Sequence, residues 1–224
     1  MGLDMIPLDK PKPGFEDRYT EIHKLLIEDN FPKPPLIKRL LGKKHTTRDK
    51  LFKEWLAMGI KSYETIKAPR VGTDKNANIW IMKQYDLLDE KPPIKSYINQ
   101  NKGLYVIELA KEQDGVPDPE YCGIGDRNIF RGEYLKDCID LIGEKLVNEA
   151  WKSKLADETL DYGHRLMKAT NKIARKHDLE YLKDQKTPPG HHYDHIESKI
   201  HLLYAISKWL IFYGENGHGY EAEY

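Results

Sequence analysis

The stretch 190–220, GHHYDHIESKIHLLYAISKWLIFYGENGHGY, constrains this chain more than any other. Its second half, residues 200–213, is the most apolar run in the sequence. Such a run reads as a helix that must be buried, so the rest of the chain has to supply the surfaces that cover it. The first half is polar, and the whole stretch holds five of the nine histidines. A glycine-rich end, residues 214–220, follows. Its three glycines around His218 permit close backbone approach, although a segment so near a terminus is ordinarily frayed.

Upstream, prolines and glycines cut the chain into short elements. Pro7, Pro11 and Pro13 forbid a regular helix over residues 1–14. Residues 16–29 set Tyr19, Ile22, Leu25 and Leu26 at helical spacing, joined by Phe15, with acidic residues in the first turn. Over 48–58, Leu51, Phe52, Trp55 and Leu56 form a second buried stripe, capped by Thr46 or Thr47 and ended by Gly59. Thr73 caps a third helix reaching Leu87, with Ala77, Trp80, Ile81 and Leu88 inward. Residues 103–110, GLYVIELA, read as a strand whose partners are sought at 3–8, 96–98 and 121–124. The turn-rich segment 114–126 then separates a mixed part (about 1–115) from a helical part (about 127–214). Each part alone is short of core, so 1–224 reads as one domain.

Three helices complete the pattern. Residues 130–151 align Leu135, Cys138, Ile139, Ile142, Leu146 and Ala150; residues 155–177 align Leu160, Leu166, Met167, Thr170, Ile173 and Ala174; the last runs over 191–213. The fold class is therefore mainly α (α+β), with about six helices and a small β-sheet from the N-terminal half.

Charge and composition narrow the function. Lys plus Arg and Asp plus Glu balance at 36 each, which argues against a dedicated nucleic-acid binder, because phosphate neutralisation supplies most of such affinity. A local basic stretch does occur over 33–53 and reads as a solvated face. No window reaches the ~18 apolar residues of a membrane span. The N-terminal sequence has no signal-peptide pattern, and Cys122 and Cys138 match no zinc spacing. These features point to a cytoplasmic protein with reduced thiols.

The blocks MGLDMIP, SYETIKAPRVG and RNIFRGEYLKDC, continued by GEKLVNEAW, resemble a family of small uncharacterised bacterial and phage proteins, over about two thirds of the chain. The resemblance implies a soluble intracellular protein and transfers no catalytic residue.

Two constellations could carry chemistry. On a helix, Asp194, Glu197 and His201 share one stripe, and His191 and His195 share another. Imidazole with carboxylate suits a divalent metal such as Mn, Zn, Fe or Mg. Asp161 and His164 on the preceding helix would complete a site. The spacing HxxxH lacks the base of an HExxH motif. Glu133, Asp137, Asp140 and Glu144 form a further acidic line along 130–151, partly opposite its apolar stripe. The second constellation is Arg127, Asn128 and Arg131, after Gly123 and Gly125 and before a helix, a setting suited to an anion. It lacks the GK[ST] ending of a P-loop.

Two readings stand. In the first, the chain is a binding or interaction protein, open to self-association through aromatics read as exposed, such as Tyr63, Tyr85 and Tyr220. In the second it is a metal-dependent hydrolase of a phosphorylated small molecule. The first is preferred, since no motif specifies a reaction.

Overall fold

The computed structural model describes residues 2–28, 47–66, 69–106, 109, 122–123, 129–185, 188–190 and 194–224. In chain order the elements are β1 (Asp4–Pro7), β2 (Lys10–Pro11), α1 (Glu16–Glu28), α2 (Thr47–Met58), β3 (Gly59–Ile60), α3 (Ser62–Thr65), α4 (Lys75–Asp86), α5 (Ile94–Gln100), β4 (Cys122–Gly123) and β5 (Ile129–Arg131). A 3₁₀ segment (Gly132–Cys138), α6 (Ile139–Ile142), α7 (Glu144–Glu149), α8 (Ala156–Lys176), a second 3₁₀ turn (Glu180–Lys183), α9 (Ile196–Glu215) and β6 (Tyr220–Glu223) follow. The chain is mainly helical with a small antiparallel sheet, and the helices outnumber the six expected. Contacts divide it into two units, one formed by Met1–Leu8 with Ser62–Tyr224 and the other by Asp9–Lys61. The turn-rich boundary expected over 114–126 lies almost wholly outside the described residues.

The apolar run becomes the buried helix the larger unit is built on. Leu202, Leu203, Ala205, Ile206, Trp209, Leu210 and Tyr213 of α9 join the main core, while Ile200 and Tyr204 join a second cluster with Ala174, Leu179 and Leu182. Both sides of the helix are thereby covered. The long partner is α8, and two glycines set how closely the helices approach. A Cβ on Gly163 would lie 2.9 Å from Leu210 Cβ, and one on Gly214 would lie 2.8 Å from Leu160 Cα. Buried hydroxyls turn back on their own helices, Ser207 to Leu203 O at 2.6 Å and Thr170 to Leu166 O at 2.8 Å, so burial leaves them satisfied.

The small sheet expected from the N-terminal half is found in part: β2 and β3 pair antiparallel as a two-stranded sheet, Lys10 opposite Ile60, and the same half supplies β1 to a larger, four-stranded sheet. Its strand order is β4-β5-β1-β6, so β1 sits between a mid-chain strand and the C-terminal one. Met5 pairs with Phe130 on one side and Ala222 on the other. Of the three proposed partner segments, 3–8 and 121–124 each contain a strand, but 96–98 lies in α5. The expected strand at 103–110 contributes one isolated bridge, Arg70 to Tyr105, where its described residues fold against 69–71. Val71 and Val106 are buried there with Ala77 and Ile81 of α4. Asp74, not Thr73, caps α4, accepting from Ala77 N at 2.9 Å.

The helix expected over 130–151 is broken. Phe130 is needed in the sheet. Gly132 lies where a Cβ would come within 3.0 Å of Leu3 and Met5 side-chain atoms, and Gly143 at φ 81 stops α6. Leu135, Cys138 and Ala150 are buried as expected, whereas Ile139 is exposed.

The C-terminal segment is held firmly. His218 and Tyr220 are fully buried, against the readings of a frayed end and an exposed Tyr220. His218 Nδ1 donates to Leu8 O at 2.8 Å, and its Nε2 contacts Thr65 Oγ1. Leu8 N in turn donates to Gly219 O at 2.9 Å. A Cβ on Gly219 would collide with Lys154 O, whose residue brackets Tyr220 through paired backbone bonds of 2.9 Å.

In the smaller unit, Tyr19 of α1 stacks on Trp55 of α2 with centroids 4.9 Å apart, and Tyr19 donates its hydroxyl to Asp9 O at 2.6 Å. Arg18 grips Glu54 through bonds of 2.8 and 3.1 Å. Phe52 and Leu56, expected inward, are exposed.

Gly214→Ala should force α8 and α9 apart and cost about 1–3 kcal/mol, read as a lower urea midpoint. His218→Ala should cost about 1–3 kcal/mol by leaving the carbonyl of Leu8 unpaired in the interior. An unchanged midpoint in the second variant would mean that the C-terminal strand is held by other contacts.

Candidate functional site

Each anticipated metal ligand has a definite place, and the places diverge. Asp194 lies in the turn before α9, so it does not share the helix face with Glu197 and His201. His195 is the exposed N-cap residue of α9, and Glu197 sits partly buried in its first turn. His201 points inward: it is 1% exposed and donates Nε2–H to Gln185 O at 2.9 Å. A carbonyl can only accept, so that nitrogen carries its hydrogen and has no lone pair for a metal. On α8, His164 is exposed, and Asp161 is bonded to Arg165 at 2.7 Å. Among the described residues, no group of three or more His, Cys, Asp or Glu is placed to hold a metal ion. The acidic line along 130–151 fails with the helix that would have aligned it, and Asp140 instead faces Lys199 at 3.1 Å. His191, His192, Arg127 and Asn128 lie outside the described residues, while Arg131 is exposed on β5.

One partly buried polar cluster does converge, and its partners satisfy each other. Glu149 takes both arms of the Arg165 guanidinium, with Nη1 at 2.8 Å, and Lys154 Nζ lies 3.1 Å from the same carboxylate. Tyr162 lies between the two cations, 5.3 Å from Lys154 Nζ and 5.5 Å from the Arg165 carbon, and donates its hydroxyl to Leu146 O at 2.7 Å. Hydrogen bonding by Arg165 holds the Glu149 carboxyl down at about 2, against the opposing effect of burial, with Lys154 adding to the lowering. Every partner is engaged, so the cluster ties α7 to the first half of α8 and leaves no group for a substrate. Cys138 is similarly inert. Burial pushes its thiol up to about 12, and its Sγ rests 3.8 Å from Lys199 O.

The sequence reading passed over a groove on the exposed side of α8. His164, Met167, Lys168, Asn171, Lys172 and Arg175 line a cavity of about 550 Å³. The spacing i, i+3, i+4, i+7, i+8, i+11 is one helical face. The same spacing is present in the sequence, on the side of the helix opposite the buried Leu166, Thr170 and Ala174. Lys168 and Lys172 have no carboxylate partner among the described residues. Arg175 has one loose neighbour, Glu180, at 3.8 Å. Asn171 Oδ1 accepts from Tyr204 OH at 3.1 Å, and among the described residues its amide nitrogen has no hydrogen-bond partner and faces the groove as a donor. The three cationic side chains and the Asn171 amide nitrogen are therefore donors, while the His164 ring and the second lone pair of Asn171 Oδ1 can accept. A second cavity, about 630 Å³ along α4, is lined by Thr73, Lys75, Asn78, Ile79, Met82, Lys83 and Asp86, so its charges are of both signs. No described helix is long and apolar enough to cross a membrane.

No family model, curated protein or solved structure matches this chain.

Two acid-sensitive steps follow from the buried groups. Burial lowers the pKa of His201 from 6.5, the backbone bond to Gln185 opposing and Lys208 reinforcing the effect. The unfolded chain therefore binds a proton that the folded one refuses, and stability should fall as pH drops below about 6.5. His201→Gln, which keeps an N–H for Gln185 O, should flatten that step in urea midpoints measured from pH 7 to 5.5. The Glu149 contribution is present above its unfolded pKa near 4.5 and is lost as pH falls toward about 2. Arg165→Gln should lower the midpoint at pH 7 and weaken this second step.

Proposed function

We propose that this chain is a non-catalytic binding protein that receives an anionic partner along the groove of α8. The observation that carries the reading is the uniform character of that groove, in which Lys168, Lys172, Arg175 and the Asn171 amide all offer hydrogen-bond donors. Like charges on one face repel one another, and a bound anion offsets that cost. The balanced overall charge is consistent with this, because α8 segregates its charges. Asp157 and Glu158 occupy its first turn, and Arg175 and Lys176 its last.

The metal-dependent hydrolase reading has no observation of comparable weight. Of its six proposed ligands, His201 has its Nε2–H engaged with Gln185 O and Asp161 is engaged with Arg165.

Retention on immobilised heparin at low ionic strength tests the reading. The native protein should be held and released by salt, and a Lys168→Glu, Lys172→Glu variant should elute markedly earlier with an unchanged melting curve. Identical elution of the two proteins would remove α8 as the binding face and assign any retention to another basic stretch.

A further inference from the structure

The shape of the groove narrows the class of anion. This step rests on the reading of α8 as a binding face and goes on to name the ligand. From His164 to Arg175 the helix rises by about 16 Å, with a cationic or imidazole group at each turn. A single phosphate could reach only two neighbouring side chains of such a row. A ligand that engages it as a row carries several anionic groups in sequence. The groove is open to solvent along the helix face, with room of about 550 Å³ beside these side chains.

The donors also have a chemical preference. Phosphate oxygens are acceptors, several to a group, and suit a lining whose ammonium, guanidinium and amide groups all donate. Asn171 contributes a neutral donor between Lys168 and Lys172. Its orientation comes from the hydroxyl of Tyr204, a residue 1% exposed on α9, so this donor is positioned from inside the core. Met167 supplies a polarizable apolar patch on the same wall, against which the uncharged part of a ligand can rest. The C-terminal half of a helix carries the negative end of its dipole, so affinity must come from the side chains and will be salt-sensitive. Glu180, 3.8 Å from Arg175, opposes an anion at the C-terminal lip.

We propose that the α8 groove binds a small molecule bearing a chain of phosphates, of the diphosphate or triphosphate ester class, through Lys168, Asn171, Lys172 and Arg175. Binding needs no bond to form or break.

Calorimetric titration of the full chain at low salt tests this, using inorganic phosphate, tripolyphosphate, polyglutamate and a single-stranded oligonucleotide as probes. Tripolyphosphate should bind at least tenfold more tightly than phosphate. Lys168→Gln with Lys172→Gln should weaken it at least tenfold. Asn171→Leu should weaken it severalfold, and Glu180→Gln should tighten it, a gain that loss of folding could not produce. If tripolyphosphate binds no better than phosphate, or is indifferent to the two lysines, the proposal is overturned. If polyglutamate or the oligonucleotide binds more tightly than tripolyphosphate through those lysines, the anionic face stands and the small phosphate ligand is overturned. If no probe senses the lysines, both readings fall together.

Discussion

The larger unit depends on one constraint: α9 has almost no side that tolerates water. From Ile200 to Leu210 only Lys208 is less than buried. Surrounding elements are placed by what they cover. One flank is taken by α8, which approaches closely because Gly163 and Gly214 omit their side chains. The 3₁₀ segment bearing Leu135 and Cys138, with Phe130 of the sheet, closes the main cluster, and Leu179 and Leu182 close the second. Three polar groups on α9 each find a backbone carbonyl, Ser207 at Leu203 O, His201 at Gln185 O and Lys208 at Lys183 O, and Lys199 and Tyr204 reach Asp140 and Asn171 instead. Truncating Trp209, which packs against Tyr213 at 4.6 Å and Phe130 at 6.1 Å, would open a cavity costing about 3–5 kcal/mol.

How much of this was legible beforehand depended on whether the signal was local. The helices at 16–28, 47–58, 75–86, 156–176 and 196–215 were readable from apolar spacing, because their periodicity reports a nearby buried face. The segment 130–151 misled because Leu135, Cys138 and Ile142 keep helical spacing. Phe130 is drawn into the sheet by Met5, a residue far away in sequence, and Gly143 adopts a φ that only the folded chain reveals. Tyr220 looked like a surface tyrosine in a glycine-rich tail. It is fully buried because Gly219 lets the backbone pass against Lys154, a contact that no residue pattern announces.

The expected ligands are placed by a related constraint. Histidine and carboxylate residues attract notice as potential ligands, yet His201 had to face inward once Ile200 and Leu202 did. Its Nε2–H then went to Gln185 O. The groove of α8 is made of lysines and an asparagine, residues ordinarily read as a solvated face. What distinguishes them is an absence of carboxylate neighbours for Lys168 and Lys172 among the described residues, together with an amide oriented by Tyr204. Neither fact can be seen without the packing of α8 on α9.

The position of β1 has a bearing on how the chain acquires its structure. During synthesis Asp4–Pro7 is made early, but its neighbours are Arg131 and Phe130 on one side and Tyr220 to Glu223 on the other. Until Ile129–Arg131 is made this strand has neither ladder partner, and its apolar Met5 has no strand to pair with. The smaller unit, Asp9–Lys61, closes over local sequence and can form first. The sheet must wait for about two hundred further residues. Pairing across such separations is slow, and an unpaired strand is open to wrong partners meanwhile. Between the making of Asp4–Pro7 and that of Tyr220–Glu223, β1 therefore lacks its full set of ladder partners.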